Sequence, residues 1–97
     1  MNQDETPTPK QSGSYGIMQG ICENTLASLA AWRVKAAGTE RADVIDAFVA
    51  RFRRNHAAVL AWAEEPPTPH AKAATVRDIL DGREEARLWG ALLGWTL

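Results

Sequence analysis

Residues 39–65 read TERADVIDAFVARFRRNHAAVLAWAEE. Within this stretch Ile45, Val49, Phe52, His56, Val59 and Ala63 recur at spacings of four, three, four, three and four, flanked by Val44, Phe48 and Leu60. That interval keeps apolar side chains on one side of a 3.6-residue repeat, so the stretch predicts an amphipathic helix. Thr39 suits the N-cap, and Glu40 and Asp43 place negative charge near the positive end of the helix dipole. Pro66, Pro67 and Pro69 end it, because proline lacks the amide donor and disfavours helix in the residue before it. A helix over this whole stretch would be a rod of about 40 Å at 1.5 Å per residue. Such a rod must pack along its length, bend, or pair with a second copy.

Upstream, Met18, Cys22, Thr25, Leu29, Trp32 and Ala36 repeat the same spacing, and Ile21 and Leu26 widen the stripe. They predict a first helix over 14–37, with Ser14 as N-cap, Arg33 and Lys35 in its last turns and Gly38 as the left-handed residue that closes it. Residues 1–13, MNQDETPTPKQSG, hold no large apolar side chain beyond the first methionine. They read as a flexible tail, since ordering them buries nothing to offset the lost chain entropy.

Downstream, residues 70–80 predict a short third helix, starting at Thr68-Pro69 or at Thr75 with Asp78. Asp81-Gly82 reads as a break, and 83–95 as a fourth helix with Asp81 and Glu84 forming a capping box. No stretch alternates with the period of a strand. The expected fold class is all-α: a compact bundle of about four helices built on a long antiparallel helical hairpin, forming one domain over 14–97.

Composition narrows the function classes. The 97 residues are 45% hydrophobic and 24% charged, with 11 basic and 12 acidic side chains and a net charge of -1. Apolar content of that order supports a globular core, and the balanced charge is unlike the basic excess of most nucleic-acid binders. One cysteine forms no internal disulfide. The N-terminus lacks the features of a secretory signal, and no apolar run approaches a membrane span, so the expectation is a cytoplasmic protein.

Catalytic chemistry needs groups that act together, and none is legible. His56 falls on the seam of the second helix and Cys22 on that of the first, where core residues belong. Two histidines, one cysteine and scattered carboxylates supply no metal-ligand spacing. Glu64-Glu65 and Glu84-Glu85 are adjacent pairs whose members diverge around a helix. There is no phosphate-binding glycine loop and no nucleophile elbow. The chain is therefore expected to be non-enzymatic, with no cofactor and no metal.

Binding residues are easier to nominate. Arg51, Arg53 and Arg54, with Asn55, form the only basic cluster and could hold carboxylates or phosphates. Trp62 lies off the main seam, which predicts exposure. Trp89 and Trp95 lie in LWGALLGWTL (88–97), a run with more apolar side chains than one stripe needs. Tryptophan concentrates at binding hot spots. Gly82, Ala86, Gly90 and Gly94 recur every four residues, a small-residue row that lets another helix approach closely. A helix-turn-helix over the last two helices is disfavoured, because 83–95 is acidic at its start and apolar afterwards.

The leading expectation is an adaptor or inhibitor that binds a protein partner by steric occlusion and forms a homodimer. Small, motif-free helical chains are also what mobile elements encode against host machinery, anti-CRISPR proteins among them. In that role Asp43, Asp46, Glu64 and Glu65 could mimic phosphates. The alternative is a dimeric DNA-binding regulator using Arg51, Arg53 and Arg54.

Overall fold

The computed structural model describes residues 13–97, which form three helices: α1 (Gly13–Lys35), α2 (Arg41–Ala61) and α3 (Pro69–Ala91). The described residues contain no strand. The expected tail lies outside them except for Gly13, which belongs to α1, so Ser14 sits inside the first turn and is not the N-cap.

All six positions of the first seam are buried, from Met18 to Ala36. In α2, Ile45, Phe52 and Val59 are fully buried, while Val49 lies at the margin of the core. Glu23 meets His56 and Arg33 meets Asp46, so α1 and α2 run antiparallel. The reversal is short. Gly38 takes φ +79°, a left-handed conformation that glycine adopts without strain. Thr39 donates its hydroxyl to the Ala36 carbonyl (2.7 Å) and accepts from the Arg41 amide (3.2 Å). It thus serves a first-turn donor although Glu40 is the N-cap residue.

The second helix stops at Ala61, earlier than its apolar pattern suggests, and its last turn loosens through Glu65 ahead of the prolines. Thr68 caps α3, its hydroxyl accepting from the Ala71 amide at 3.2 Å, and Pro69 occupies the first turn, where no amide is needed.

Asp81-Gly82 does not break the chain. The expected third and fourth helices are one continuous helix, and there are three helices among the described residues, not four. The reason is packing. Gly82 is buried, and a Cβ there would meet Arg51 Nε at 3.0 Å and Phe52 Cζ at 3.3 Å. Glycine costs about 1 kcal/mol of helix propensity against alanine. Here it lets α3 lie against α2, and that close contact offsets the cost. Thr75, Asp78, Asp81 and Glu84 are therefore helix-interior residues without capping roles.

Lys72 meets Trp62, and Phe48 meets Trp89, so α3 runs antiparallel to α2 and parallel to α1. α1 and α3 join where Trp32 lies on Gly90. A Schellman-type close ends α3: Trp95 N donates to Gly90 O (2.9 Å), Gly94 N donates to Ala91 O (3.1 Å), and Gly94 takes φ +75°. Trp95 is consequently outside the helix and folds back over Trp32.

Candidate functional site

The arginine cluster of α2 divides between two faces. Arg51 turns towards α3, where Nη2 and Nε meet Asp78 Oδ1 and Oδ2 at 2.9 and 3.3 Å and Nη1 meets Glu85 Oε1 at 3.0 Å. Asn55 Nδ2 donates to Asp78 Oδ2 at 2.6 Å. The hydrogen bond from Arg51, then that from Asn55, hold the Asp78 carboxyl below its ordinary range, and the Arg51 guanidinium is raised in return. Both residues nominated as binders thus tie α2 to α3. The pattern had a sequence signal: Asp78 and Glu85 are seven residues apart, two turns along one helical face. Placing a break at Asp81-Gly82 put the two carboxylates on separate helices and hid it. Arg53 and Arg54 remain exposed.

The tryptophans are also internal contacts. Trp62, expected on the surface, is buried at 6% exposure, with the Lys72 ammonium 5.8 Å from its ring centroid. A seam drawn for one neighbour placed it outside; α2 has two neighbours, so its buried arc is wider. At the opposite end Trp32 is the hub of an aromatic cluster. Trp89 and Trp95 each lie 5.9 Å from it, and Phe48 packs on Trp89 at 5.9 Å. Trp32 Nε1 donates to the Thr96 carbonyl at 3.1 Å, giving the buried indole its acceptor. Trp89 and Trp95 are half-buried there. The small-residue row belongs to the same packing: Gly82, Ala86 and Gly90 are buried against helices of this chain. α2 spans 21 residues, Trp62 is buried, and Trp89 and Trp95 pack on Trp32, so neither the length of α2 nor the tryptophans require a second copy.

His56 is not a core residue. It sits at the α1–α2 margin with Nε2 3.3 Å from Glu23 Oε2. Cys22 is fully buried, and burial, followed by the charge of Glu23, pushes its thiol up to about 11. A thiol so raised is a poor nucleophile. Among the described residues no three His, Cys, Asp or Glu side chains group as metal ligands, and no helix is long and apolar enough to cross a membrane.

Two surfaces remain that the core does not explain. The first is the outer crest of α3. Leu88 and Leu92 are 53% and 86% exposed, and Glu84, Asp81 and Arg77 continue the same exposed face one, two and three turns before Leu88. A cleft of about 260 Å³ adjoins it, lined by Val44, Trp89, Leu92 and Leu93 with Glu40 and Arg41 at the rim. The second is a groove of about 690 Å³ between α1 and α2, with Leu26, Ala30, Val34, Ala37 and Val49 as apolar lining and Arg33, Asp46 and Arg53 as polar edge. An Arg33–Asp46 ion pair of 2.8 Å spans it. The run 88–97 is a binding candidate in the sequence, and its Leu88 and Leu92 are exposed; Val34 carries no such signal there. Exposure of an apolar residue inside a helical pattern depends on how many neighbours the helix acquires.

No family model, curated protein or solved structure matches this chain.

Proposed function

We propose that this protein is a non-enzymatic binding module that grips a protein partner over the crest of α3 and acts as an adaptor or inhibitor by steric occlusion. The observation that carries this reading is the exposure of Leu88 and Leu92 beside the Val44 cleft. Full burial of a leucine is worth about 1.5–3 kcal/mol, of which Leu92 forgoes most and Leu88 about half, and a clustered set marks an interaction surface. Asp81, Glu84 and Glu85 stand along the same helix, and Glu84 already neutralises Arg87 through contacts of 2.9 and 2.6 Å. With Glu84 paired to Arg87, Glu85 paired to Arg51, and Arg77 exposed one turn before Asp81, the charge around the leucines is balanced, so the face suits a protein partner through its apolar side chains. Such a face fits an occluding inhibitor of host machinery, of the kind mobile elements encode.

The test is affinity capture from the native host with wild type and with Leu88→Gln/Leu92→Gln. Both leucines are exposed, so helix content should be unchanged. A partner captured by wild type and lost with the double variant supports the reading; capture undiminished by the variant rejects it.

The DNA-binding alternative keeps one observation in its favour, the exposure of Arg53 and Arg54. It has lost Arg51 to Asp78. A gel-shift titration at two salt concentrations tests it: binding that weakens steeply with salt and vanishes in Arg53→Ala/Arg54→Ala would revive it.

A further inference from the structure

After the turn at Gly94, residues Trp95, Thr96 and Leu97 form one side of a pocket of about 480 Å³. Its other wall is α3 itself, through Arg83, Arg87 and Ala91, which are spaced by four and share one helical face. Neither Leu88 nor Leu92 lines it, so it is separate from the crest. Among the described residues its ionisable side chains are the two arginines, and Leu97 forms no ion pair with either. The two arginines differ. Arg87 is held at 2.9 and 2.6 Å by Glu84, which gives it both carboxylate oxygens. The Arg83 side chain has no hydrogen bond or ion pair among the described residues. Arg41, Arg53, Arg54 and Arg77 are likewise in no ion pair, but they are exposed and water serves them. Arg83 is half-buried, and its Nε is shut off from water without an acceptor. A guanidinium so placed lacks a counter-charge where one is worth most, and being packed it loses little freedom when an anion arrives.

We propose that this pocket binds a carboxylate borne on a small apolar body, with Arg83 as the partner of the anion and Trp95, Ala91 and Leu97 against the body. One guanidinium without a partner suits a single negative charge, and its planar fork matches the two oxygens of a carboxylate. A phosphate dianion would bring a second charge that Arg87, already neutralised by Glu84, does not answer. The apolar wall is formed in advance. Trp95 is fixed by the Trp32 ring at 5.9 Å and by the Lys35 ammonium at 5.6 Å from its centroid, and the Lys35 charge favours an anion nearby. The volume is ordinary for a small-molecule site. A free aliphatic acid and the last residue of a peptide present the same chemistry to it.

The test is a titration of the isotope-labelled full chain with hexanoate and with N-acetyl-leucine, followed by NMR at the Trp95 indole and the Arg83 Nε–H resonances. At least one probe should shift both saturably, with a Kd of about 1 mM, ordinary for so few atoms. Tighter hexanoate marks a free acid as the ligand, and tighter acetyl-leucine a chain end. Hexanamide should leave the resonances unmoved, and inorganic phosphate should bind at least about tenfold more weakly than the better carboxylate. Arg83→Gln should weaken binding at least about tenfold. Because Arg83 is half-buried, Ala91→Glu gives a second check: Ala91 is exposed, so the fold should hold while the added carboxylate repels the probe to a similar degree. Arg77→Gln removes the same charge from α3 outside the pocket and should bind like wild type. The proposal is overturned if neither carboxylate gives a saturable shift up to about 10 mM. It is equally overturned if hexanamide or phosphate binds as tightly as the carboxylates, or if Arg83→Gln and Ala91→Glu both bind like wild type. None of these outcomes touches partner capture through Leu88 and Leu92, which is read separately.

Discussion

Thr25 sits on the buried seam of α1 at 1% exposure, and its hydroxyl oxygen has no hydrogen-bond partner. A buried hydroxyl without an acceptor has lost water and gained nothing. Thr25→Val should therefore raise stability by about 0.5–1 kcal/mol, read as a higher urea midpoint with unchanged slope. Glycines divide by the same local logic. A Cβ on Gly90 would come within 2.4 Å of Trp32 Cη2 and 2.9 Å of the Trp95 carbonyl oxygen, neither of which can yield cheaply. Gly90→Ala should cost about 2–3 kcal/mol and disturb tryptophan fluorescence. Gly20 has nothing within 4 Å of the same added atom, so Gly20→Ala should stabilise α1 by about 0.5–1 kcal/mol. Sequence marks both as helix-weakening glycines; only the neighbour across the interface tells them apart.

Among the elements, α3 is the one whose nature pattern and packing disputed. Its N-terminus at Thr68-Pro69 is one of two starts the sequence offers, and the cap at Thr68 decides between them. Its continuity was not legible, because a local break signal competed with contacts to α2 that lie about thirty residues away in the chain. Asp78 carries much of that attachment. Its carboxyl is held below the ordinary carboxylate range, so its contribution is fully present above the unfolded value near 4 and is lost as pH falls through the lower folded value. Wild type should accordingly lose thermal stability progressively below about pH 4, and Asp78→Asn should show a flatter profile there. At neutral pH the substitution should cost about 1–2 kcal/mol, the half-exposed setting screening part of the charge-assisted bonds. A melting series over pH with both proteins checks the two statements together.

For the molecule as a whole, stability and binding reside on separate faces. The core is the set of seams plus the aromatic cluster around Trp32, whereas Leu88 and Leu92 lie outside it with most of their surface in water. Leu88→Gln/Leu92→Gln should therefore leave the melting temperature within about 2 °C of wild type, corresponding to under about 0.5 kcal/mol, while removing partner capture. A large drop in melting temperature would place these leucines in the core and defeat the separation.

By itself the sequence determined the all-helical class, the seam of α1 and the Gly38 turn, since each follows from periodicity or from the conformational limits of a few adjacent residues. It also placed Cys22 within the core. Tertiary structure alone decided that Asp81-Gly82 continues a helix, that Arg51 and Asn55 bind Asp78, and that Trp62 is buried while Leu92 is exposed. Each of these turns on which helix lies against which face, an energy spread over side chains far apart in the chain. The stretch at 39–65 shows both sides: its period specified a helix and one buried stripe, but only the arrival of α3 on its second side settled which remaining residues reach solvent.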